Sequence, residues 1–154
     1  NIIEITGLII HWSFNSHTLD QISNFNLNTN TNPIWTEDRF GRANMALRIQ
    51  KDSNLFSTSF NTMPFNETTI TIWLKAYNCS QSAELIGFGN GNHNYNLIFG
   101  YSSENDCKPF IKVGSCNIID KNQDGKRVEL NNWNHLSFTL NGHKQVIYLN
   151  GIPI

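Results

Sequence analysis

The sequence predicts an all-β protein built as an antiparallel two-sheet sandwich of the jelly-roll type. Apolar residues recur at every second position in several short segments, which is the pattern of a strand with one buried face. Clusters of Asn, Gly, Ser and Pro separate these segments at regular intervals, as in sandwiches of short strands. No segment shows the helical spacing of apolar residues that would indicate an amphipathic helix.

The individual strands follow from this alternation. In chain order they are predicted over residues 8–14, 46–49, 69–77, 84–88, 96–101 and 110–113. The clearest is 69–77, whose two faces differ in character. One face carries Ile70, Ile72, Leu74 and Ala76, and the other carries Thr71, Trp73, Lys75 and Tyr77. We expect the first set to enter the core and the second set to face outward.

A hairpin completes the predicted order of strands. The apolar residues of its first strand are Leu136, Phe138 and Leu140, and they alternate with His135, Ser137 and Thr139. We expect the apolar three in the core. The turn Asn141-Gly142-His143-Lys144 then returns the chain into a last strand over residues 145–150.

Three short motifs resemble one fold family. They are Asp-Arg-Phe-Gly-Arg-Ala-Asn at 38–44, Trp-Asn-His-Leu-Ser-Phe-Thr at 133–139 and Tyr-Leu-Asn-Gly at 148–151. Together they resemble the laminin-G / concanavalin A-like lectin domains over about residues 8–151. The resemblance implies the same jelly roll, and it implies that His135 serves packing and hydrogen bonding within the sheet.

The resemblance also bears on domain organisation. Family members usually continue past the Tyr-x-Asn-Gly turn with one or two further strands, so a sandwich that lacks its last strand or strands is expected. We therefore expect residues 1–154 to form a single laminin-G-like jelly-roll domain of a longer polypeptide. A strand supplied by a neighbouring copy and a naturally short variant stay open as alternatives.

Composition excludes two classes of partner. Lys and Arg number 11 against 12 Asp and Glu, and charged residues make up 15% of the chain. Scattered cations do not form the basic stripe of a nucleic-acid binder, so no nucleic acid is expected. No run of 18 apolar residues occurs, so no membrane insertion is expected. Polarity comes instead from 24 Asn, which suit loops and also hydrogen bonding to sugars.

Sequons and cysteines indicate an exported protein. Asn66 and Asn78 each begin an Asn-x-Ser/Thr sequon and are candidate N-glycosylation sites. Cys107 and Cys116 flank a short apolar run, and we predict a disulfide between them that closes a hairpin or a folded-back loop. Cys79 is then left as a buried thiol or with a partner elsewhere. An extracellular or cell-surface glycoprotein is predicted.

No catalytic constellation is found in the sequence. A retaining glycoside hydrolase needs two carboxylates about 5 Å apart, and no Glu-x-Asp-x-Glu arrangement occurs to provide them on one strand face. The five His form no His-Glu-x-x-His motif and the three Cys form no Cys-x-x-Cys motif. We predict that the protein is not an enzyme.

Calcium is the one cofactor that the sequence suggests. Asp120, Asn122 and Asp124 alternate as in the first half of an Asp-x-Asn-x-Asp-Gly calcium loop. An EF-hand has Glu at the twelfth position, where this chain has Asn131. Two interpretations stay open, a calcium site and a simple turn at Asp124-Gly125.

Ligand recognition is expected from loops and exposed aromatics, because sugars stack on rings and hydrogen-bond to amides. The candidate binding residues are Asn90, Asn92, His93, Asn94, Tyr95 and Trp73. The predicted function is an extracellular, non-catalytic recognition or adhesion module of a larger glycoprotein, which binds glycans, extracellular proteins, copies of itself or other domains of its own chain. A structural building block of an extracellular assembly is the first alternative, and a glycan-active enzyme is the second.

Overall fold

Two four-stranded antiparallel sheets dominate the structure, a computed structural model that describes residues 7–50, 55–56, 67–80, 83–88, 97–102, 107–113, 116–119, 125–142 and 144–154. The strands are β1 (Asn28–Thr29), β2 (Ile34–Thr36), β3 (Ala46–Arg48), β4 (Leu55–Phe56), β5 (Glu67–Lys75), β6 (Ala83–Phe88), β7 (Leu97–Ser102), β8 (Lys108–Val113), β9 (Cys116–Ile119), β10 (Trp133–Asn141), β11 (Lys144–Leu149) and β12 (Ile152–Pro153). The first sheet has the order β12-β11-β10-β5, and the second has the order β6-β7-β8-β9.

The core lies between the inner faces of these two sheets. Leu136 and Phe138 of β10 are fully buried, and the Phe138 ring lies 6.5 Å from that of Phe99 in the second sheet. On β5, Ile70 and Leu74 are buried and Trp73 is exposed, as the alternation predicts. The all-β sandwich is therefore confirmed, because each sheet has one apolar face and the two apolar faces cover each other.

The chain divides into two compact units, Asn1–Phe60 and Asn61–Ile154. Both four-stranded sheets belong to the second unit, and the first unit holds the two-stranded pairs β1-β4 and β2-β3. That residues 1–154 form a single domain stays a prediction.

The predicted strand at 8–14 is not regular in the structure. Trp12 forms a single antiparallel bridge with Asp20, and the backbone of Phe14 (φ 52°) and Ser16 (φ 56°) is left-handed. Left-handed residues cannot continue an extended ladder, so the alternation there does not become a strand.

A buried carboxylate organises this segment. Asp20 accepts hydrogen bonds from the backbone amides of His11 (2.8 Å), Ile22 (3.1 Å), Ser23 (2.9 Å) and Phe25 (3.1 Å). Burial by itself would raise the pKa of the Asp20 carboxyl, but the four amide hydrogen bonds outweigh burial and hold that pKa below its ordinary 3.8. The carboxylate thus takes the place of a strand partner for the His11 amide and satisfies the three amides that follow Asp20.

Replacing Asp20 with Asn is expected to destabilise the protein at neutral pH by about 2 kcal/mol, because the amide nitrogen would face backbone N–H donors. The folded-state pKa is lowered, so the stabilisation by the carboxylate is fully present above about pH 4 and is lost as pH falls through the folded pKa. Urea unfolding at pH 7 and in acid measures the free energy of unfolding of wild type and Asp20→Asn. The difference between the two proteins should be smaller in acid than at pH 7. An equal difference at both pH values would contradict this role.

The Asp-Arg-Phe-Gly motif builds a second carboxylate-centred turn. Asp38 accepts hydrogen bonds from the amides of Phe40 (2.9 Å) and Arg42 (3.0 Å) and forms a salt bridge with the Arg42 guanidinium (2.6 Å). Burial by itself would raise the Asp38 pKa, but the Arg42 guanidinium and the amides lower it overall. Gly41 has φ 75°, a backbone conformation that favours glycine.

The Tyr-x-Asn-Gly motif is a hairpin turn. Asn150 (φ 51°) and Gly151 (φ 81°) are the two loop residues between β11 and β12, and Leu149 pairs with Ile152 across them. Positive φ at both positions is the type I′ geometry, for which Asn-Gly is the preferred sequence. The chain therefore does form a further strand after this motif, at the edge of the first sheet.

Candidate functional site

The outward face of the first sheet carries a cluster of rings. In β10, Asn134, Leu136 and Phe138 are buried, so the residues between them point away from the core. The register pairs His135 with Trp73 and Trp133 with Lys75 across the β5-β10 ladder. We call the set Trp73, Lys75, Tyr77, Trp133 and His135 the Trp73 face.

Trp73 and His135 form the centre of the Trp73 face. Their ring centroids lie 4.9 Å apart with an interplanar angle of 41°, and Trp73 is 44% exposed. The cross-strand neighbour restrains the orientation of the ring, and the exposed part of the ring faces solvent. It is therefore a ready stacking surface for a ligand.

Lys75 and Tyr77 extend the Trp73 face towards the end of β5. The Lys75 ammonium lies 5.8 Å from the centroid of the Tyr77 ring, and Tyr77 is 51% exposed. The contact is a cation–π interaction at the outer limit of its range. The Trp73 face thus combines flat apolar surface with one positive charge.

The segment that bears Trp133 and His135 is held from both sides. Asn150 accepts a hydrogen bond from the His135 amide through its side chain (2.8 Å), and its own amide donates to the His135 carbonyl (2.8 Å). Asn134, between the two ring residues, is 1% exposed and donates to the carbonyls of Glu129 and Asn132 (2.9 Å each). These bonds fix the backbone beneath the rings.

A disulfide joins the two sheets at the end of β5. It links Cys79, after β5, to Cys107, just before β8, with their Cα atoms 5.6 Å apart. The predicted Cys107–Cys116 bridge is therefore wrong. Cys116 begins β9 and pairs by register with Val113 in the same sheet, whereas Cys79 and Cys107 come from different sheets that meet at this end. The short separation in sequence favoured Cys116 as the partner of Cys107, whereas packing of the two sheets brings Cys79 to it.

The other predicted site residues have mixed outcomes. Of the ligand-binding candidates, Trp73 lies on the sheet face, and the remaining five, Asn90, Asn92, His93, Asn94 and Tyr95, fall outside the described residues. The calcium candidates Asp120, Asn122 and Asp124 and the sequon residue Asn66 also fall outside them. Asn78 is exposed, and the hydroxyl of Ser80 in its sequon lies 3.2 Å from its side-chain oxygen.

Trp133 is not among the binding candidates that the sequence indicates, and His135 was expected to serve packing and hydrogen bonding within the sheet. The register sets them beside Lys75 and Trp73. The available signal was the alternation at 133–139, in which Trp133 and His135 share the outward parity of Ser137 and Thr139.

Two of the described carboxylates, Asp20 and Asp38, have the lowered pKa of structural anions. Both are held anionic by hydrogen bonds, whereas a general acid at neutral pH needs a raised pKa. Among the described residues no group of three His, Cys, Asp or Glu side chains is arranged to hold a metal ion. Within the same residues, the structure has no helix with the length and hydrophobicity needed to cross a membrane.

Comparisons with known proteins agree on the fold. A laminin G family model, described as the concanavalin A-like lectin/glucanases superfamily, matches residues 50–154. No curated protein sequence matches the chain significantly. Among solved structures, domain 4 of AbnA, a GH43 extracellular arabinanase from Geobacillus stearothermophilus, in complex with arabinotriose, is similar with a TM-score of 0.73 and 16% identity, over 95% of this chain and 72% of that chain.

Proposed function

We propose, because the chain belongs to the concanavalin A-like lectin/glucanases superfamily, that it is a non-catalytic module that binds carbohydrate on its Trp73 face. The observation that carries the proposal is the tilted ring contact between Trp73 and His135, with Trp73 44% exposed on the sheet. The similar arabinanase domain was solved in complex with arabinotriose, which supports a sugar as the ligand class.

The chemistry of the Trp73 face suits a sugar chain. The apolar C–H faces of a sugar ring stack on an exposed Trp, while the surrounding hydroxyls need hydrogen-bonding partners. The His135 imidazole lies beside the Trp73 ring and the Lys75 side chain follows two positions further along β5, and both provide such partners. Because Asn134 and Asn150 fix the backbone under these side chains, little conformational freedom is lost on binding.

We place the module outside the cell. The Cys79–Cys107 disulfide is of the kind that persists in oxidising compartments, and the exposed Asn78 sequon is accessible for glycosylation. The expected partners are glycans of an extracellular surface or matrix.

Replacing Trp73 with Ala is expected to weaken binding to a polysaccharide ligand at least about tenfold, because the stacking surface is lost while the core is untouched. Affinity electrophoresis and calorimetry against arabinan, xylan, mixed-linkage glucan and polygalacturonate provide the test. Thermal unfolding should change little, since the ring is not part of the core.

Phe40→Ala is the matched control. Phe40 is an exposed aromatic residue (65%) in the first unit, packed against the Arg39 guanidinium at 4.3 Å and away from any residue of the Trp73 face in sequence. It should leave the affinity unchanged. An equal loss of affinity in Trp73→Ala and Phe40→Ala would refute the Trp73 face as the binding site. Failure of the wild-type chain to bind any of the four polymers would refute it as well.

A further inference from the structure

We infer that the sugar chain held on the Trp73 face is acidic, a polysaccharide of hexuronic acid units whose carboxylate pairs with Lys75. The inference rests on the proposed function and specifies its ligand class. Lys75 is the one lysine or arginine within the Trp73 face.

The position of Lys75 suits a group attached to a stacked sugar ring. Trp73 and Lys75 are at alternate positions of β5, so their side chains are about 6.6 Å apart along the strand. That spacing is comparable to the length of one pyranose unit. A ring stacked on Trp73 therefore directs its exocyclic carboxylate into the reach of the Lys75 ammonium.

Among the described residues, no carboxylate pairs with the Lys75 ammonium. The ammonium contacts the Tyr77 ring. Glu67, the acidic residue of the same strand, is eight positions away, about 26 Å along the strand. Glu129, in the segment before β10, already accepts a hydrogen bond from Asn132 at 3.2 Å.

The aromatic neighbours make this charge selective. Lys75 is half-buried, pairs by register with Trp133 across the ladder, and its ammonium lies over the Tyr77 ring. An ion pair in such surroundings is screened less than one on an open surface. An acidic chain gains this ion pair and a neutral sugar does not, which favours an acidic chain over a neutral one.

The test compares hexagalacturonate with its fully methyl-esterified form, in which each carboxylate is replaced by an uncharged methyl ester. Calorimetry with the whole chain should show that the acidic hexamer binds at least about fivefold more tightly than the ester at low ionic strength. This difference in affinity should become smaller in 0.5 M salt, because salt screens the ion pair. Lys75→Gln should remove the preference. Lys144→Gln, an exposed lysine at the far end of β11, should keep it.

Each other outcome overturns the inference in a distinguishable way. Equal binding of both hexamers, or tighter binding of the ester or of a neutral arabinan, would refute the acidic ligand and leave carbohydrate binding intact. A sulfated glycan bound through Lys75 in place of the uronate would also refute the carboxylate. Failure to bind any of these sugars would remove the proposed function together with the inference.

Discussion

Replacing Cys79 and Cys107 together with Ala is expected to lower the free energy of unfolding by about 3–4 kcal/mol. The disulfide closes a loop with a sequence separation of 28, and constraint of the unfolded chain by a loop of that length gives this magnitude. Chemical denaturation without reductant, compared with the same measurement under reducing conditions, gives the effect. Reduction of the wild-type protein should reproduce the variant.

Cys116→Ala is the control that separates the two possible pairings. If Cys107 pairs with Cys79, the Cys116 variant keeps the wild-type response to reductant, and non-reducing peptide mapping recovers the Cys79–Cys107 peptide. If Cys107 paired with Cys116 instead, the result would be reversed: Cys116→Ala would be destabilising and Cys79→Ala would be neutral. The double replacement of Cys79 and Cys107 avoids a new bond between Cys107 and Cys116.

Loss of the disulfide should also weaken sugar binding on the Trp73 face. Cys79 is two residues beyond Tyr77, and the same end of the sandwich is joined by the Val128 amide donating to the Cys107 carbonyl (3.0 Å) and the Asn131 amide donating to the Ala76 carbonyl (2.8 Å). The bond therefore anchors the end of β5 and the segment that leads into β10. Binding is expected to weaken in the variant at temperatures where it is still folded.

The buried and exposed faces of single strands could be predicted from the sequence, because the alternation that defines them is a local property. Ile70, Leu74, Leu136 and Phe138 were placed in the core correctly, and the hairpin turn that starts at Asn141 joins the predicted strands. A period of two decides which face a residue takes, and it does so without knowledge of the partner strand.

The neighbours across strands could not be predicted in the same way. The Trp73 face exists because β10 pairs with β5, two strands that are distant in sequence, with His135 opposite Trp73. Strand pairing depends on packing of the whole sandwich, so parity alone left Trp133 and His135 unconnected to Trp73. The failed strand at 8–14 has a related cause, since the His11 amide binds the Asp20 carboxylate and the left-handed backbone at Phe14 ends any extended run.

Removal of the Asn134 side chain is expected to cost about 2–4 kcal/mol of stability. Its amide nitrogen donates to the carbonyls of Glu129 and Asn132, and its oxygen accepts from the Glu129 amide at 3.1 Å. Asn134→Ala would leave these backbone groups without partners at a position that is 1% exposed. Urea unfolding measures the loss, and Asn134→Asp should not restore stability, because it keeps the acceptor but loses both donors and buries a charge.

Asn132→Ala separates this effect from a general intolerance of the segment. Asn132 is exposed, and its side chain donates only to the Glu129 carboxylate at 3.2 Å among the described contacts, so its loss should change stability by less than about 0.5 kcal/mol. Because Trp133 and His135 flank Asn134, the Asn134 variant should also bind sugar more weakly well below its unfolding temperature, whereas the Asn132 variant should bind normally. Equal stability and equal affinity in the two variants would show that the buried amide does not position the rings.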